Sequence, residues 1–477
     1  MVGMRWTDRA IGLLSTIILA RLLVPADFGL VAMATITIGL MSVFLEFGVH
    51  IALIQNANAT REHYDAAFTL RVLQTSFLAV VLWFAAPFAA DYFHDERVIP
   101  VLRWLSLGTL IGGFENVGVI TFQKEMRFGL EFQLAFVRRI SAFLVTVTVA
   151  WILRDYWALV IGTLVSKVLG VVITYLAHPM RPRFSTKKIG EIFSVSQWVL
   201  VQGIGSYLDG NLHRILVGRR ASAATLGAYT LAGEISAMPS TELLAPLNRV
   251  LFPSFVEVKE RPAELKRLFL LAQGLQTTMV VPAAFGLSLV APEVVALALG
   301  ERWQAAIPFL QWLVLGAALR AITTSPEYIM LTLNAVRRMA VVSWFRVLFF
   351  VMLAFLLLPH AGALELAMMR VSTSAAGLGL TLWFFLRTFP AVRAADILKT
   401  INRPIMAALA MSAVLLWAQG FWSGEMALVR LILDVLLGVL VYAAVLLLLW
   451  HLARRPAGAE RYVLDQLLVF WHRRRAV

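Results

Sequence analysis

Apolar stretches of about twenty residues follow one another along this chain, each long enough as a helix to span roughly 30 Å of bilayer hydrocarbon. Hydrophobic residues make up 60% of the sequence and charged residues 15%, whereas soluble domains are about half apolar and about a quarter charged. Closed β-barrels, the other spanning structure, require short alternating segments, which the sequence lacks. The sequence therefore predicts an all-α integral membrane protein.

The apolar stretches predict about 14 transmembrane helices. They are expected at 5–23, 29–50, 64–90, 100–123, 133–153, 156–177, 193–217, 224–250, 268–290, 305–330, 338–358, 362–386, 403–422 and 427–452. The first stretch contains Asp8 and Arg21 and has no small-x-small cleavage site, so we interpret it as a transmembrane helix rather than a signal peptide.

The connections between these helices differ strongly in charge. If the N-terminus is cytoplasmic, the inner connections and the chain ends hold about 25 Lys/Arg and the outer connections about 6, which is the positive-inside bias. Both termini are therefore predicted to be cytoplasmic, and the net charge of +14 does not indicate nucleic acid as a partner. In the tail, one helical face is predicted to lie on the membrane, with Arg473, Arg474 and Arg475 against lipid phosphates. That face comprises Val463, Leu464, Leu467, Leu468 and Trp471.

A repeated segment divides the chain into two halves. "IPVLRWLSLGTL" at 99–110 shares an Ile, Pro, Trp and Gly in one register with "IPFLQWLVLGAA" at 307–318. Trp104 opens the fourth predicted helix and Trp312 the tenth, so six crossings separate them and the two copies are parallel. Parallel repeats in transporters are related by an axis along the membrane normal.

A weaker repeat supports the same division. "IILARLLVPADFGLVAMA" at 17–34 aligns with "ILVGRRASAATLGAYTLA" at 215–232, which pairs Arg21 with Arg219 and Gly29 with Gly227. We expect two six-helix lobes around a central cavity, two additional helices and a cytoplasmic interfacial tail. Their expected boundaries are 1–180, 191–388, 403–452 and 453–477.

Ionisable side chains inside predicted helices are the candidate site residues, because such groups are costly in hydrocarbon unless they face a cavity or a partner. The candidates for substrate binding are Arg21, Arg71, Lys167, Arg219 and Arg320. The candidates for ion coupling are Glu46, Glu115, Asp209 and Glu234. Arg and Lys in a cavity favour an anionic substrate, and Arg offers planar bidentate donors to phosphate.

Glu115 and Arg320 form the most specific candidate pair. The repeat places Arg320 opposite Gly112, one helical turn from Glu115 on the same face. The pair is predicted either to exchange partners during transport or to be a permanent structural ion pair.

The sequence lacks the motifs of several classes of enzyme and metal site. Cysteine is absent, so thiolate metal sites and cysteine nucleophiles are excluded. The phosphate-binding Gly-rich loop, HExxH and GxSxG motifs do not occur either. We therefore expect no enzyme activity, no metal site and no cofactor.

Four segments resemble the Wzx-type polysaccharide repeat-unit translocases of the multidrug/oligosaccharidyl-lipid/polysaccharide (MOP) flippase superfamily. They are "IILARLLVPADFGLVAMATITIGLMSVFLEFGVHIALIQ" (17–55), "RPRFSTKKIGEIFSVSQW" (181–198), "LVGRRASAATLGAYTLAGEISAMPSTELLAPLNRVLFPSF" (216–255) and "GERWQAAIPFLQWL" (300–313). In this superfamily, cationic residues of the first helices of a lobe are associated with the central cavity, and Arg21 matches that position. The chain has His213 where the family often has an acidic residue.

The resemblance implies a flippase of the bacterial inner membrane. Its substrate would be an undecaprenyl-pyrophosphate-linked oligosaccharide, moved to the periplasmic leaflet for exopolysaccharide or lipopolysaccharide synthesis, with a polymerase and co-polymerase as partners. Two alternatives stay open: a cation-coupled drug antiporter of the same superfamily, for which a more acidic cavity is expected, and a membrane polysaccharide polymerase or ligase, for which a large periplasmic loop is expected.

Overall fold

The computed structural model describes residues 2–45, 53, 58–125, 127–192, 197–422, 424–456 and 458–466. Within them the chain forms helices and no strand. The helices are α1 (Val2–Leu22), α2 (Pro25–Leu45), α3 (Arg61–Phe93), α4 (Val98–Gly113), α5 (Ile120–Lys124), α6 (Phe128–Leu153), α7 (Trp157–Ala177), α8 (Ile189–Ile192), α9 (Gln197–Arg220), α10 (Ala223–Glu242), α11 (Ala245–Glu257), α12 (Pro262–Leu289), α13 (Ala291–Val294), α14 (Ala306–Thr332), α15 (Val336–Val351), α16 (Ala363–Thr388), α17 (Ala394–Ala418) and α18 (Ala427–Leu452).

Nine helices in the described part of the chain are long and apolar enough to cross a membrane, and ten if the bent pair Val98–Gly113 and Val117–Lys124 is one span. The other predicted spans also coincide with helices, which are α1, α9, α10 and α16 and are less apolar. The all-α membrane fold is thus confirmed, while the count of fourteen spans stays a prediction.

Two predicted helices are each broken into two. The span expected at 100–123 ends at Gly113 and resumes after the 3₁₀ turn Val117–Val119. The span expected at 224–250 stops at Glu242, and a second helix begins at Ala245. A proline in the first turn of that second helix has no N–H to continue the preceding helix, which accounts for the new start.

The chain divides into two compact units, residues 1–230 and 231–477. In the first unit α3 packs along α4, α4 packs on α7, and α7 packs on α6. These contacts join α3, α4, α7 and α6 into one packed series. The lobes expected at 1–180 and 191–388, and the further segments at 403–452 and 453–477, stay predictions.

Gly29 and Gly227, which the weaker repeat aligns, face each other in the first unit. A Cβ at Gly29 would collide with the carbonyl oxygen of Ala223, and a Cβ at Gly227 would collide with that of Pro25. Since Pro25 and Ala223 are also aligned by the repeat, each glycine meets the residue that the repeat pairs with the other glycine's partner. Only glycine permits the two backbones to approach this closely.

The segment from 178 to 188, which we call the linker, runs across the beginning of α3. The Arg183 backbone N–H donates to Asp65 Oδ1 at 2.9 Å, and the Ser185 N–H donates to Thr69 Oγ1 at 2.8 Å. The helix α8, which follows the linker, is held by a hydrogen bond between His63 Nε2 and Glu191 Oε2 at 3.0 Å. The linker is therefore fixed to α3 by side chains that accept from its backbone.

In the second unit α12 packs against both α14 and α17. Phe269 of α12 and Phe385 of α16 are fully buried, with ring centroids 4.6 Å apart. The two C-terminal helices are attached to the unit by ion pairs, one of which joins Lys266 Nζ and Asp396 Oδ2 at 2.6 Å. Residues 459–466 of the tail are helical, and the rest of its predicted apolar face and Arg473, Arg474 and Arg475 lie outside the described residues.

Candidate functional site

The break after α4 is a fully hydrogen-bonded feature of the first unit. The helix axes on either side of it differ by 64°. Asn116 lies at the break and is fully buried; its Oδ1 accepts from the Gly118 N–H at 2.9 Å, and its Nδ2 donates to the carbonyl of Met180 at 2.8 Å. Its own N–H donates to Thr174 Oγ1 at 3.1 Å. Broken helices at membrane depth mark binding sites in transporters, because irregular backbone is tolerated there only where it is buried or lines a cavity.

A cluster of charged side chains surrounds this break. Arg71 Nη2 donates to Glu115 Oε2 at 2.7 Å and to the carbonyl of Gly112 at 3.0 Å. Arg138 Nη1 lies 3.4 Å from Glu115 Oε1. One carboxylate is thus shared by two guanidinium groups, with Arg71 held at the shorter distance.

Lys167 approaches the same break from α7. Gly108 and Gly112 leave room for its side chain, and a Cβ at Gly112 would lie 3.3 Å from Lys167 Cδ and 3.7 Å from Nζ. Among the residues that the structure describes, Lys167 has no hydrogen-bond or ion-pair partner. Its ammonium group is therefore available to a ligand.

The three cations occupy the same position relative to the start of their helices. Arg71, Arg138 and Lys167 each follow the first residue of their helix by ten positions, which at 1.5 Å per residue is about 15 Å, half the thickness of the hydrocarbon layer. Three cations face one carboxylate there. We name Arg71, Glu115, Arg138 and Lys167 the mid-depth cluster.

A cavity of about 280 Å³ adjoins the cluster, between α5, α6 and α7. Glu115 and Arg138 form part of its wall, and Gln123 and Glu131, joined by a hydrogen bond of 2.5 Å, lie at its other polar edge. Apolar side chains make up most of the remaining wall: Val119, Ile120, Phe122, Leu134, Ala135 and Ile173. The cavity gives Arg138 a face that is open to a ligand.

The structure thus brings together three of the candidate residues, Arg71, Glu115 and Lys167, and adds Arg138, which the sequence analysis missed. A signal for Arg138 was present. The interval between Trp104 and Trp312 also separates Arg138 from Arg346, so an arginine recurs at this position of the repeat.

Arg21 and Arg219 occupy the last turns of α1 and α9. Arg219 Nη1 donates to the carbonyl of Tyr92 at 2.9 Å, and the Arg219 guanidinium lies 4.9 Å from the centre of the Tyr92 ring. Both side chains are exposed. Their place at helix ends distinguishes them from the mid-depth cluster.

The remaining candidates lie elsewhere. Asp209 is half-buried on α9, Glu234 is exposed on α10, and Arg320 is exposed on α14 in the second unit. The expected pairing of Glu115 with Arg320 stays a prediction, and Glu115 has two other cations as partners within its own unit. Glu46 lies outside the described residues.

Outside the membrane-spanning helices, two groups beside the linker have shifted pKa values. Hydrogen bonds from Lys188 and then from His63 lower the pKa of Glu191 below its ordinary value of 4.5. Burial lowers the pKa of His178 below 6.5. Both shifts favour the charge states that the hydrogen bonds around the linker require at neutral pH.

Similarity to known proteins agrees with this architecture. The model of a family described as "Polysaccharide biosynthesis protein" matches residues 18–308, more than half of the chain. The chain belongs to this family. Among its curated relatives, the lipopolysaccharide biosynthesis protein WzxC of Escherichia coli (strain K12) is 26% identical over 67% of each chain. The succinoglycan biosynthesis transport protein ExoT of Rhizobium meliloti (strain 1021) is 24% identical over 69% of this chain and 66% of its own length.

The matched regions therefore span about two thirds of these relatives. Among solved structures, the lipid II flippase MurJ in an inward closed conformation aligns with a TM-score of 0.78, at 13% identity, over 95% of this chain and 99% of MurJ. An inward-facing MATE family multidrug transporter of the MOP superfamily aligns at 0.62, with 16% identity, over 79% and 93%. The family member described here has the MOP fold, and the similar proteins whose names state an activity are transporters or flippases rather than enzymes.

Proposed function

We propose that the protein is a flippase that moves undecaprenyl-pyrophosphate-linked oligosaccharide repeat units from the cytoplasmic to the periplasmic leaflet of a bacterial inner membrane. The observation that carries the proposal is the mid-depth cluster, in which three cations and one carboxylate surround a broken helix. Membership of the polysaccharide biosynthesis family supplies the pathway.

The charge of the cluster suits the chemistry of this substrate. A pyrophosphate that leaves water for hydrocarbon loses hydration worth tens of kcal/mol unless other charges replace it. Arg71 offers a planar pair of donors and Lys167 a compact ammonium group, and phosphate accepts both. We assign these two residues to the pyrophosphate, and Arg21, Arg219 and Arg320 to the path along which it moves.

Release of the anion requires a competitor for the cations. Glu115 already binds Arg71 and Arg138, so it can return to them when the substrate leaves. In this proposal Glu115 gives up its arginines to the pyrophosphate in one state of an alternating-access cycle. Glu46, Asp209 and Glu234 are the further candidates for coupling the cycle to an ion.

The orientation and partners follow from the same proposal. With the positive-inside bias, both termini are cytoplasmic and the linker lies on the inner side. A polymerase and a co-polymerase that use the translocated units are the expected partners on the periplasmic side.

A drug antiporter is the alternative that shares the fold. Likeness to a MATE transporter at 16% identity concerns the fold alone. The mid-depth cluster has a net positive charge, which would repel an organic cation. The charge of the cluster therefore favours the flippase, and no catalytic motif supports a polymerase or ligase.

Complementation tests the proposal. In the source bacterium with this gene deleted, the wild-type gene should restore surface polysaccharide, and Lys167→Ala should not, because it removes a cation from the pyrophosphate. Lys399→Ala is the matched control, since Lys399 is exposed at the start of α17 outside the cluster. Deletion without loss of polysaccharide or accumulation of lipid-linked units, or full activity of Lys167→Ala at equal membrane levels, would contradict the proposal.

A further inference from the structure

The second unit contains a counterpart of part of the mid-depth cluster. Arg346 Nη2 lies 3.4 Å from Glu327 Oε1, the same distance that separates Arg138 and Glu115. In both units the arginine is ten residues past the start of its helix. The repeat interval therefore aligns the two arginines, whereas it places Glu115 opposite Thr323, so the partner glutamates stand at different positions.

A glycine from a neighbouring helix lies against the arginine of each pair. A Cβ at Gly170 would lie 2.6 Å from Glu115 Oε1 and 3.4 Å from Arg138 Cδ, and a Cβ at Gly377 would collide with the side chain of Arg346. The close approach of a third helix is thus common to both units. The aligned arginine thus meets a glutamate and a glycine of other helices in both units.

The two copies differ in charge. In the first unit Arg71 donates to a mid-helix carbonyl, that of Gly112. In the second unit the repeat interval places the neutral Met279 opposite Arg71. The same interval places the neutral Ala375 opposite Lys167, so both additional cations of the cluster lack a charged counterpart at the aligned position.

The two arginines also differ in exposure. The Arg346 side chain is 8% exposed, and it donates to Thr381 Oγ1 at 3.2 Å as well as to Glu327. The Arg138 side chain is 45% exposed and lines the cavity beside α6. Since Glu115 binds Arg71 at 2.7 Å and Arg138 at 3.4 Å, Arg138 is the guanidinium that the carboxylate holds less closely.

We infer that Arg138 is an anion-binding residue that contacts a pyrophosphate group from the cavity side, whereas its counterpart Arg346 only stabilises the second unit. The inference rests on the proposed function and deepens it. Glu115 releases Arg138 to the phosphate first and keeps Arg71 until the substrate has entered the cluster. The second copy has retained the structural role of the pair.

Titration of the purified protein in nanodiscs tests this assignment, with inorganic pyrophosphate and farnesyl pyrophosphate as the probes. Loss of one charge-assisted hydrogen bond should weaken binding roughly ten- to a hundredfold in Arg138→Ala, and Arg138→Lys should recover part of the loss. Tighter binding of the farnesyl probe would support a lipid headgroup as the source of the anion, and equal binding would support free pyrophosphate.

Two control variants separate the role of Arg138 from bulk charge and from folding. The substitution Arg139→Ala removes the same charge at the neighbouring residue. Because Arg139 packs against Gly12 of α1, this variant should keep wild-type affinity. Arg346→Ala should lower the unfolding temperature while the folded protein binds both probes normally. Wild-type affinity in Arg138→Ala, equal losses in Arg139→Ala or Arg346→Ala, or no binding by the wild type would overturn the inference, while complementation decides the proposed function independently.

Discussion

Glu115 is the residue on which the mid-depth cluster depends, because it is the one carboxylate among its three cations. Without it, Arg71 and Arg138 would repel each other in a medium of low dielectric constant. The same carboxylate weakens the binding of any anion that competes for those arginines. A single residue thus contributes to stability and opposes substrate binding.

We predict that Glu115→Gln binds pyrophosphate more tightly than the wild type and transports more slowly. The neutral amide keeps a hydrogen bond to one arginine but no longer competes as a charge, so the anion enters easily and leaves slowly. The free energy of unfolding should fall by about 1–3 kcal/mol, because a partly buried charge loses its partner. Titration, transport in vesicles over a range of pH and Na⁺, and thermal unfolding measure the three effects. Unchanged affinity together with unchanged ion dependence would remove Glu115 from the mechanism.

The sequence predicts the members of the cluster singly but not as a group. Arg71, Glu115 and Lys167 stand out because each lies far from a helix end, which can be counted along the chain. Which of them meet depends on how α3, α4 and α7 pack, and the apolar surfaces of these helices are too similar to specify neighbours. For that reason the repeat led to Arg320 as the expected partner of Glu115, whereas Arg71 and Arg138 are the partners within the first unit.

At the scale of helices, periodicity and length place every expected span on a helix, but they miss the break after α4. An apolar run of the right length predicts a continuous helix. The break depends on Asn116, whose side chain accepts from Gly118 and donates to Met180, 64 residues further along the chain. A bond of that range cannot be read from local sequence. By contrast, the pairing of Gly29 with Gly227 was visible as a repeat, and the structure places both at one helix contact.

The linker and α8 provide a prediction at this scale. Because hydrogen bonds from Lys188 and His63 lower the pKa of Glu191, these bonds to the carboxylate stabilise the attachment above pH 4.5 and lose that effect as the pH falls through the lowered pKa. The amide protons of Arg183 and Ser185 should therefore exchange faster at acid pH than at neutral pH. Hydrogen–deuterium exchange, corrected for the pH dependence of intrinsic exchange, measures this difference.

Glu191→Gln should show the fast exchange already at neutral pH. Glu62→Gln is the matched control, because Glu62 Oε1 lies 3.7 Å from Lys187 Nζ and both side chains are more than half exposed, where an ion pair contributes little. Equal exchange in Glu191→Gln and wild type would show that the backbone bonds to Asp65 and Thr69 hold the linker without the bonds to the Glu191 carboxylate.

At the scale of the whole molecule, the sequence predicts the membrane fold and the family, because length and apolarity of the spans survive wide divergence. The same fold is found in MurJ at 13% identity. The number of spans and the limits of the lobes depend on less apolar helices such as α9 and α10, whose polar faces are balanced by tertiary contacts. Composition alone does not settle those, so they stay predictions.

Topology can be tested directly. We predict that both termini are cytoplasmic, because the inner connections hold most of the Lys and Arg residues. Alkaline phosphatase fused after Val477 should be inactive, green fluorescent protein at the same place should be fluorescent, and phosphatase inserted at the outer turn near Asp95 should be active. The reverse pattern at Val477 would require an odd number of spans.

The linker has a consequence for how the protein is made. Hydrogen bonds join the linker to Asp65, Thr69 and Asn116 and join α8 to His63, and all four of these residues are synthesised earlier. The contacts can therefore close as soon as residue 191 has left the ribosome, before α9 enters the membrane. N-terminal units of large proteins generally fold first during synthesis, and here these bonds would hold α3 and the break at Asn116 together while the ribosome is still translating the rest.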